Sequence, residues 1–181
     1  MSKEIKLSDL VKDKNVLLVG NSKSLLEKDN ATLIDSYEFV IRFNLAVGKL
    51  HNYNIGNKCD AWIYAMCRES VIAETFRCAK IKPKVCVRYG KPYNIGKLNI
   101  TLDVNKNVVR QAVGIQPNLH PSTGVVTTWY MLNKAKPKSL TLIGFDSFKK
   151  SNFYTAHINA TQFHSEEAED AYLKQVPATI L

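Results

Sequence analysis

Short apolar runs alternate with amphipathic stretches along this chain, and that alternation predicts strands interleaved with helices. Val16-Leu17-Leu18-Val19 is a continuous apolar run that enters Gly20-Asn21-Ser22. A run of that length, closed by a small turn residue, is the pattern of a strand buried on both faces. Further strands are predicted over 39–42, where Phe39, Val40 and Ile41 are all apolar, and over 61–65, 85–88 and 140–143, the last ending at Gly144. Helices are predicted over 22–28, 70–80, 104–113, 123–133 and 165–175. Asn21 or Ser22 opens the first, Ser122 or Thr123 the fourth, and Ser165 the last, where Glu166 and Glu167 fall in the first turn that the helix dipole favours. The stretch 89–118 is rich in Gly, Pro and Asn and reads as loop around its one short helix. Strands alternating with helices predict an α/β fold, a mostly parallel sheet with helices on both faces. No internal repeat, low-complexity segment or linker interrupts the pattern, so 1–181 is expected to be a single domain.

Composition changes this picture little. At 181 residues, with 45% hydrophobic and 23% charged positions, the chain suits one soluble domain with a full core. No apolar run approaches the ~20 residues that span a bilayer. The segment Met1-Ser2-Lys3-Glu4-Ile5-Lys6 lacks the apolar centre of a signal peptide, so the cytoplasm is the expected compartment. Cys59, Cys67, Cys78 and Cys86 have no Cys-x-x-Cys spacing and no neighbouring His, and are expected to be buried free thiols. The charge is less ordinary: 25 Lys and Arg against 16 Asp and Glu give +9. The densest basic region runs from Lys80, Lys82 and Lys84 to Arg88 and Lys91. It reads either as a solvated face or as the footprint of a polyanionic partner such as nucleic acid or an acidic glycan.

Three constellations carry candidate chemistry. The first joins Gly20-Asn21-Ser22 to Arg42-Phe43-Asn44. At the end of a parallel strand, backbone N–H groups and a helix dipole point at ligands, and strand alternation puts Arg42 and Asn44 on one side. The bland alternative is that Arg42 pairs with Asp35 or Glu38 while Asn44 caps a turn. The second is His120-Pro121-Ser122-Thr123-Gly124, two hydroxyls and an unobstructed glycine at a helix N-terminus, which suits a phosphate or carboxylate. Its alternative is a plain N-cap with a small residue for packing. The third is His164-Ser165-Glu166-Glu167-Ala168-Glu169. His164 stands just before a helix, where it is either a surface residue or a general base, since imidazole titrates near neutrality. Glu169 is placed to buttress the helix start, and His157 is a second candidate for proton or phosphate work. The spacing of these residues fits no His-Glu-x-x-His metal motif.

Together these segments resemble the sialyltransferases, glycosyltransferase family 29. Val19-Gly20-Asn21-Ser22 with Ile34-Asp35-Ser36-Tyr37-Glu38-Phe39-Val40-Ile41-Arg42-Phe43-Asn44 looks like the large sialylmotif. Pro121-Ser122-Thr123-Gly124, followed by Leu142-Ile143-Gly144-Phe145-Asp146, looks like the small one. His164 and Glu169 match the His-x-x-x-x-Glu of the very small motif, and His157 falls about where the third motif carries a His. Ile55-Gly56-Asn57-Lys58 resembles the glycine-containing segment after the large motif.

The resemblance implies a Rossmann-like, glycosyltransferase-A-like domain and a metal-independent inverting enzyme that draws on a CMP-linked sugar and needs no cofactor. It implies that Asn21 and Asn44 contact the donor nucleotide, with Gly20, Ser22, Gly144 and Phe145 around them. It also implies that Ser122, Thr123 and Gly124 receive the donor's anionic part, that His164 is the base, and that His157 serves the phosphate or leaving group. Arg42 and Glu169 support the site. The family joins a Cys at the start of the large motif to one in the small motif. Here Val16 stands at the first position and no Cys lies between Pro121 and Asp146, which fits the reducing cytoplasm of a bacterium or of a virus-infected cell. The chain is also short for the family and lacks the loops that bind an acceptor glycan. Two acceptors are therefore expected to compete, a glycan hydroxyl and DNA carrying hydroxymethylcytosine, the second favoured by the +9 charge. A catalytically silent nucleotide- or nucleic-acid-binding domain is the reading from another class.

Overall fold

The computed structural model describes residues 5–65, 68–89, 95, 98–147, 149, 152–153 and 163–181. Seven strands are found among them: β1 (Asn15–Val19), β2 (Phe39–Phe43), β3 (Ala61–Tyr64), β4 (Val85–Tyr89), β5 (Asn99–Leu102), β6 (Ser139–Ile143) and β7 (Thr179–Ile180). They form one sheet in the order β5-β4-β3-β2-β1-β6-β7, and every pair is parallel. The helices are α1 (Leu7–Val11), α2 (Ala31–Ser36), α3 (Glu69–Cys78), α4 (Lys106–Val113), α5 (Thr123–Tyr130) and α6 (Glu166–Gln175). This is the α/β architecture that the apolar pattern predicts.

Strand alternation sorts the core into two faces. Val16, Leu18, Phe39, Ile41 and Phe43 pack with α1, α4, α5 and α6 on one side. Leu17, Val19 and Val40 pack on the other side with Leu25, Ile34 of α2 and the 3₁₀ turns of Asn44–Asn52. Trp62, Tyr64 and Cys86 continue that second face beneath α3. A sheet covered on both faces needs the near-continuous apolar runs seen in β1 and β2.

The order of strands fixes where a ligand can bind. From β1 the chain builds outward through β2 to β5, then crosses back to place β6 on the other side of β1. Between β1 and β6 the winding reverses, and in open α/β sheets the crevice lies there, beyond the carboxyl ends of the strands. Gly20-Asn21-Ser22 and Gly144-Phe145 are the residues at those two ends.

Several expectations need correction. The helix predicted over 22–28 is a single 3₁₀ turn, Lys23–Leu26, capped by Ser22. Its sequence carries one buried apolar residue, Leu25, which cannot hold a longer helix against the core. The loop predicted over 89–118 contains β5. That strand lies at the sheet edge with an inward Ile100 and Leu102 and an outward Thr101, too short an alternation to stand out. The short helices α1 and α2 also escape the pattern, each being one to two turns long. The helix predicted over 123–133 is α-helical to Tyr130 and continues as a π turn to Ala135. Cys59 and Cys86 are buried free thiols, Cys78 is exposed, and Cys67 lies outside the described residues.

Candidate active site

The end of β1 is braced on every side. Gly20 N–H donates to the Ile143 carbonyl at 2.8 Å, and a side chain at Gly20 would strike the Gly144 carbonyl oxygen at 2.1 Å. Gly144 has φ +71°, the left-handed conformation that glycine adopts without cost, and a Cβ there would meet Leu25. Ser22 is 4% exposed. Its hydroxyl donates to Asp146 Oδ2 and accepts from the N–H of Ser24. Asn21 reaches the Phe43 carbonyl through Nδ2, at 3.5 Å, while its own carbonyl accepts the Phe153 N–H. These residues close β1, β2 and β6 into one edge.

At the end of β2 the expected shared side does not persist. Arg42 is within the strand and 1% exposed. Its guanidinium donates to the carbonyls of Lys58, Ile55 and Gly56, at 2.9, 2.7 and 3.2 Å, and burial lowers its pKa. Neither Asp35 nor Glu38 is its hydrogen-bond partner. Asp35 accepts from the N–H groups of Asn57 and Lys58, and Glu38 from that of Asn15. Arg42 thereby ties the 55–58 loop to the sheet. Asn44 leaves the extended conformation with φ 50°, which ends the strand alternation at Phe43. Its Oδ1 accepts the Ala65 N–H at 3.2 Å, and its carbonyl accepts Trp62 Nε1–H at 2.7 Å.

Across the crevice, the heads of α5 and α6 are joined. Ser122 caps α5 by accepting from the Val125 N–H. Glu169, one turn into α6, accepts from the Ser122 N–H at 2.7 Å through Oε1 and pairs with the Ser122 hydroxyl at 2.6 Å through Oε2. The helix start that Glu169 buttresses is therefore that of α5, 47 residues earlier, while Ser165 caps α6 itself. Glu169 is 2% exposed, and burial pushes its carboxyl up to about 7, although the Ser122 hydrogen bonds pull the other way. A second strut runs alongside. The His120 N–H donates to the Phe163 carbonyl at 2.9 Å, and His164 Nδ1 lies 2.7 Å from the His120 carbonyl. Nδ1 faces an acceptor that has no hydrogen to give, so it carries the N–H and leaves Nε2 as the basic nitrogen. Burial lowers the pKa of His164; the hydrogen bond to the His120 carbonyl opposes this, while the nearby His120 and Lys106 side chains add to it, and the balance favours the neutral imidazole. A neutral imidazole with one ring nitrogen anchored is equipped to accept a proton at the other.

Gly124 and Phe145 close the space between the two regions. A Cβ at Gly124 would lie 2.6 Å from the Phe145 ring, so this glycine makes room for an aromatic side chain rather than for a bare backbone approach to ligand. Phe145 also packs edge-on against Phe43, with ring centroids 6.1 Å apart. Thr123 is half-buried at the first position of α5. His157 lies outside the described residues. Among the described residues, no three His, Cys, Asp or Glu side chains are grouped to hold a metal ion.

Sequence reasoning singled out Ser122, His164 and Glu169, but not His120 or Asp146. His120 acts through its carbonyl, which its residue type does not announce, although its place just before Pro121-Ser122-Thr123-Gly124 marks the segment. Asp146 follows Gly144-Phe145 and was legible only as the end of a motif. The basic stretch is partly occupied by the protein itself. Lys82 folds back onto the carbonyls of Phe76 and Arg77 and over the Phe76 ring, and Lys84 pairs with Asp60 at 2.7 Å. No helix among the described residues is long and apolar enough to cross a membrane.

Comparison with known proteins bears on the fold. The model of glycosyltransferase family 29 (sialyltransferase) matches residues 12–90, which include β1 to β4 and the Gly20-Asn21-Ser22 end of β1. No curated protein matches the chain at significant similarity. Among solved structures, a mammalian sialyltransferase in complex with Gal-β-1-3GalNAc-ortho-nitrophenol is 17% identical, with a TM-score of 0.55. That alignment covers 93% of this chain and 67% of the other. The sialyltransferase CstII from Campylobacter jejuni, solved with a cytidine-5'-monophosphate substrate analogue, is 18% identical with a TM-score of 0.55. It is aligned over 93% of this chain and 79% of its own. The chain thus spans about two thirds of the length of the mammalian enzyme. The family's model thus matches the segment that carries the first four strands, and the solved sialyltransferases share this chain's fold.

Proposed function

We propose that the protein transfers a sugar from a CMP-linked, sialic-acid-like donor to a hydroxyl of a glycan acceptor, by direct displacement with inversion and without a metal ion. The observation that carries this reading is the union of His164 with the Ser122-Thr123-Gly124 turn. A neutral imidazole with Nδ1 anchored on His120 and the head of an eight-residue helix belong to one hydrogen-bonded unit, beside the β1–β6 crevice. The turn offers N–H groups and hydroxyls to the donor's anionic part. Asn21 and Asn44, at the ends of β1 and β2, flank the nucleotide, and Phe145 forms the wall between them and α5. His164 Nε2 removes the proton of the acceptor hydroxyl as its oxygen bonds to the anomeric carbon, and CMP departs with the electrons of the broken bond. The family match and the cytidine-5'-monophosphate bound as a substrate analogue in one structural neighbour support the choice of donor.

A duplex-DNA acceptor has less support. Lys82 and Lys84, both in the densest basic region of the sequence, already hold protein groups. The test is a calorimetric screen of CMP, UDP and their sugars, followed by mass gain on a simple galactoside and on hydroxymethylcytosine-containing DNA. The reading expects CMP to bind, the galactoside alone to gain mass, and EDTA to leave the rate unchanged. Binding of UDP in place of CMP, or rescue of an EDTA-inhibited rate by magnesium or manganese, overturns it.

A further inference from the structure

A carboxyl buried behind a site for anions is an unusual neighbour. Glu169 sits with Ala168, Tyr172 and Leu173 at the edge of the main core, and both of its oxygens are directed at Ser122. The titratable and charged groups on the elements around it are His164, Glu166, Glu167, Asp170, Tyr172 and Lys174 of its own helix region. From the neighbouring segments come His120, Lys106 and Arg110 of α4, Tyr130 of α5, and Asp146 and Lys149. Asp170 is held by Lys149 and Lys174, and Arg110 by the Pro117 carbonyl.

The hydrogen-bond inventory of Ser122 depends on the charge of Glu169. A serine hydroxyl has one hydrogen and two acceptor sites. Its oxygen accepts from the Val125 N–H at 3.3 Å. When Glu169 is ionised, it can only accept, so the Ser122 hydroxyl gives its hydrogen to Oε2, and an anion before the turn also faces a buried negative charge. When Glu169 is a neutral acid, Oε2–H donates to the Ser122 oxygen. The hydroxyl hydrogen is then released to point at a ligand, while Oε1 still accepts the Ser122 N–H.

We propose that Glu169 is a positioning residue that acts as the neutral acid: it takes up a proton when the donor's anionic group binds, and through Ser122 it turns a hydroxyl hydrogen toward that group. This inference rests on the reading above only in taking the anion to sit at the head of α5. Burial raises the affinity of this carboxyl for a proton to about pH 7, so the coupling falls in an accessible range. Binding and protonation are then reciprocally linked, each favouring the other.

The test is CMP binding by calorimetry between pH 7 and 8.5, in buffers of contrasting ionisation enthalpy, for the wild-type protein and Glu169→Gln. In this range the phosphate, which titrates near 6, contributes little. The wild type is expected to absorb up to one proton per CMP, and its affinity to fall toward about tenfold per pH unit as one linked proton becomes limiting. In Glu169→Gln, Oε1 accepts from Ser122 N–H and Nε2 donates to the hydroxyl, reproducing the neutral acid. Its affinity is expected to be independent of pH and, at pH 8.5, to exceed that of the wild type. Proton uptake that persists in Glu169→Gln, or tight CMP binding with no uptake in the wild type, overturns the proposal while leaving the nucleotide site intact. Failure of CMP to bind at any pH overturns both. Should the variant fail to fold, the carbon-13 resonance of the Glu169 carboxyl in labelled wild-type protein decides. Its titration midpoint is expected to rise on adding CMP, and an unmoved midpoint rejects the coupling.

Discussion

Two serines open the two halves of the crevice, and the fold uses them differently. Ser22 follows β1, is 4% exposed, and is hydrogen-bonded to Asp146 and Ser24 in a packed edge. Ser122 precedes α5, is half-buried, and is held from behind by Glu169. Both are N-caps by local geometry. The first heads a single turn of 3₁₀ helix and braces three strands. The second heads a longer helix and shares a hydrogen-bonded unit with His164. A hydroxyl at a helix start becomes chemically useful when its supports leave its front accessible, and a cap residue alone does not tell which case applies.

The sharpest way to break this comparison is to remove the base. His164→Ala is expected to lower turnover by at least a hundredfold, the scale of a positioned general base, with folding and CMP affinity nearly unchanged. Single-turnover assays and calorimetry on one preparation check both halves. A variant that keeps more than about a tenth of the turnover removes His164 from the chemistry.

Stability against pH sharpens the role of Glu169. Folding raises its pKa from the ordinary 4.5 to about 7. The protonated, buried carboxyl therefore gives its full stabilisation below 4.5 and loses it as pH rises through about 7. Glu169→Gln does not titrate. Its stability relative to the wild type is expected to improve by about 3 kcal/mol between pH 4.5 and 8, measured by urea unfolding. A constant difference across that range refutes the raised pKa.

The two serines separate in a paired experiment. Ser22→Ala removes one buried hydrogen bond each from Asp146 and the Ser24 N–H and is expected to destabilise the fold by about 1–3 kcal/mol, with CMP affinity little changed. Ser122→Ala is expected to weaken CMP binding by about 1–3 kcal/mol and to cost about 1 kcal/mol of stability through the lost cap. Thermal melts and calorimetry give both numbers, and equal effects of the two variants on CMP would erase the distinction. The smallest effect concerns the basic surface. Replacing Lys82 and Lys84 together by Ala is expected to leave the salt dependence of duplex-DNA retention unaltered, whereas two phosphate contacts would each change the log–log slope by about 1.

Much of the fold was legible because its signals are local. The apolar runs of β1, β2, β3, β4 and β6, and the serine caps of α5 and α6, follow from hydrophobic burial and from unsatisfied N–H groups at helix starts. The edge strand β5 and the short helices α1 and α2 carry too few buried residues to stand out. At the site, the pairing of Ser122-Thr123-Gly124 with His164 was visible as motif order, while the anchoring of His164 on a backbone carbonyl was not.

The sequence by itself determined which segments become strands and helices, and which residue types stand at their ends. Only the tertiary structure decided what those ends do. Arg42 turns to the carbonyls of the 55–58 loop instead of an acid, Gly124 yields its space to Phe145, and Glu169 crosses to a helix 47 residues away. The physical reason is range. Periodicity and capping are settled within a few residues, but a buried polar group takes whichever partner the packed sheet brings to it, and burial then sets its charge.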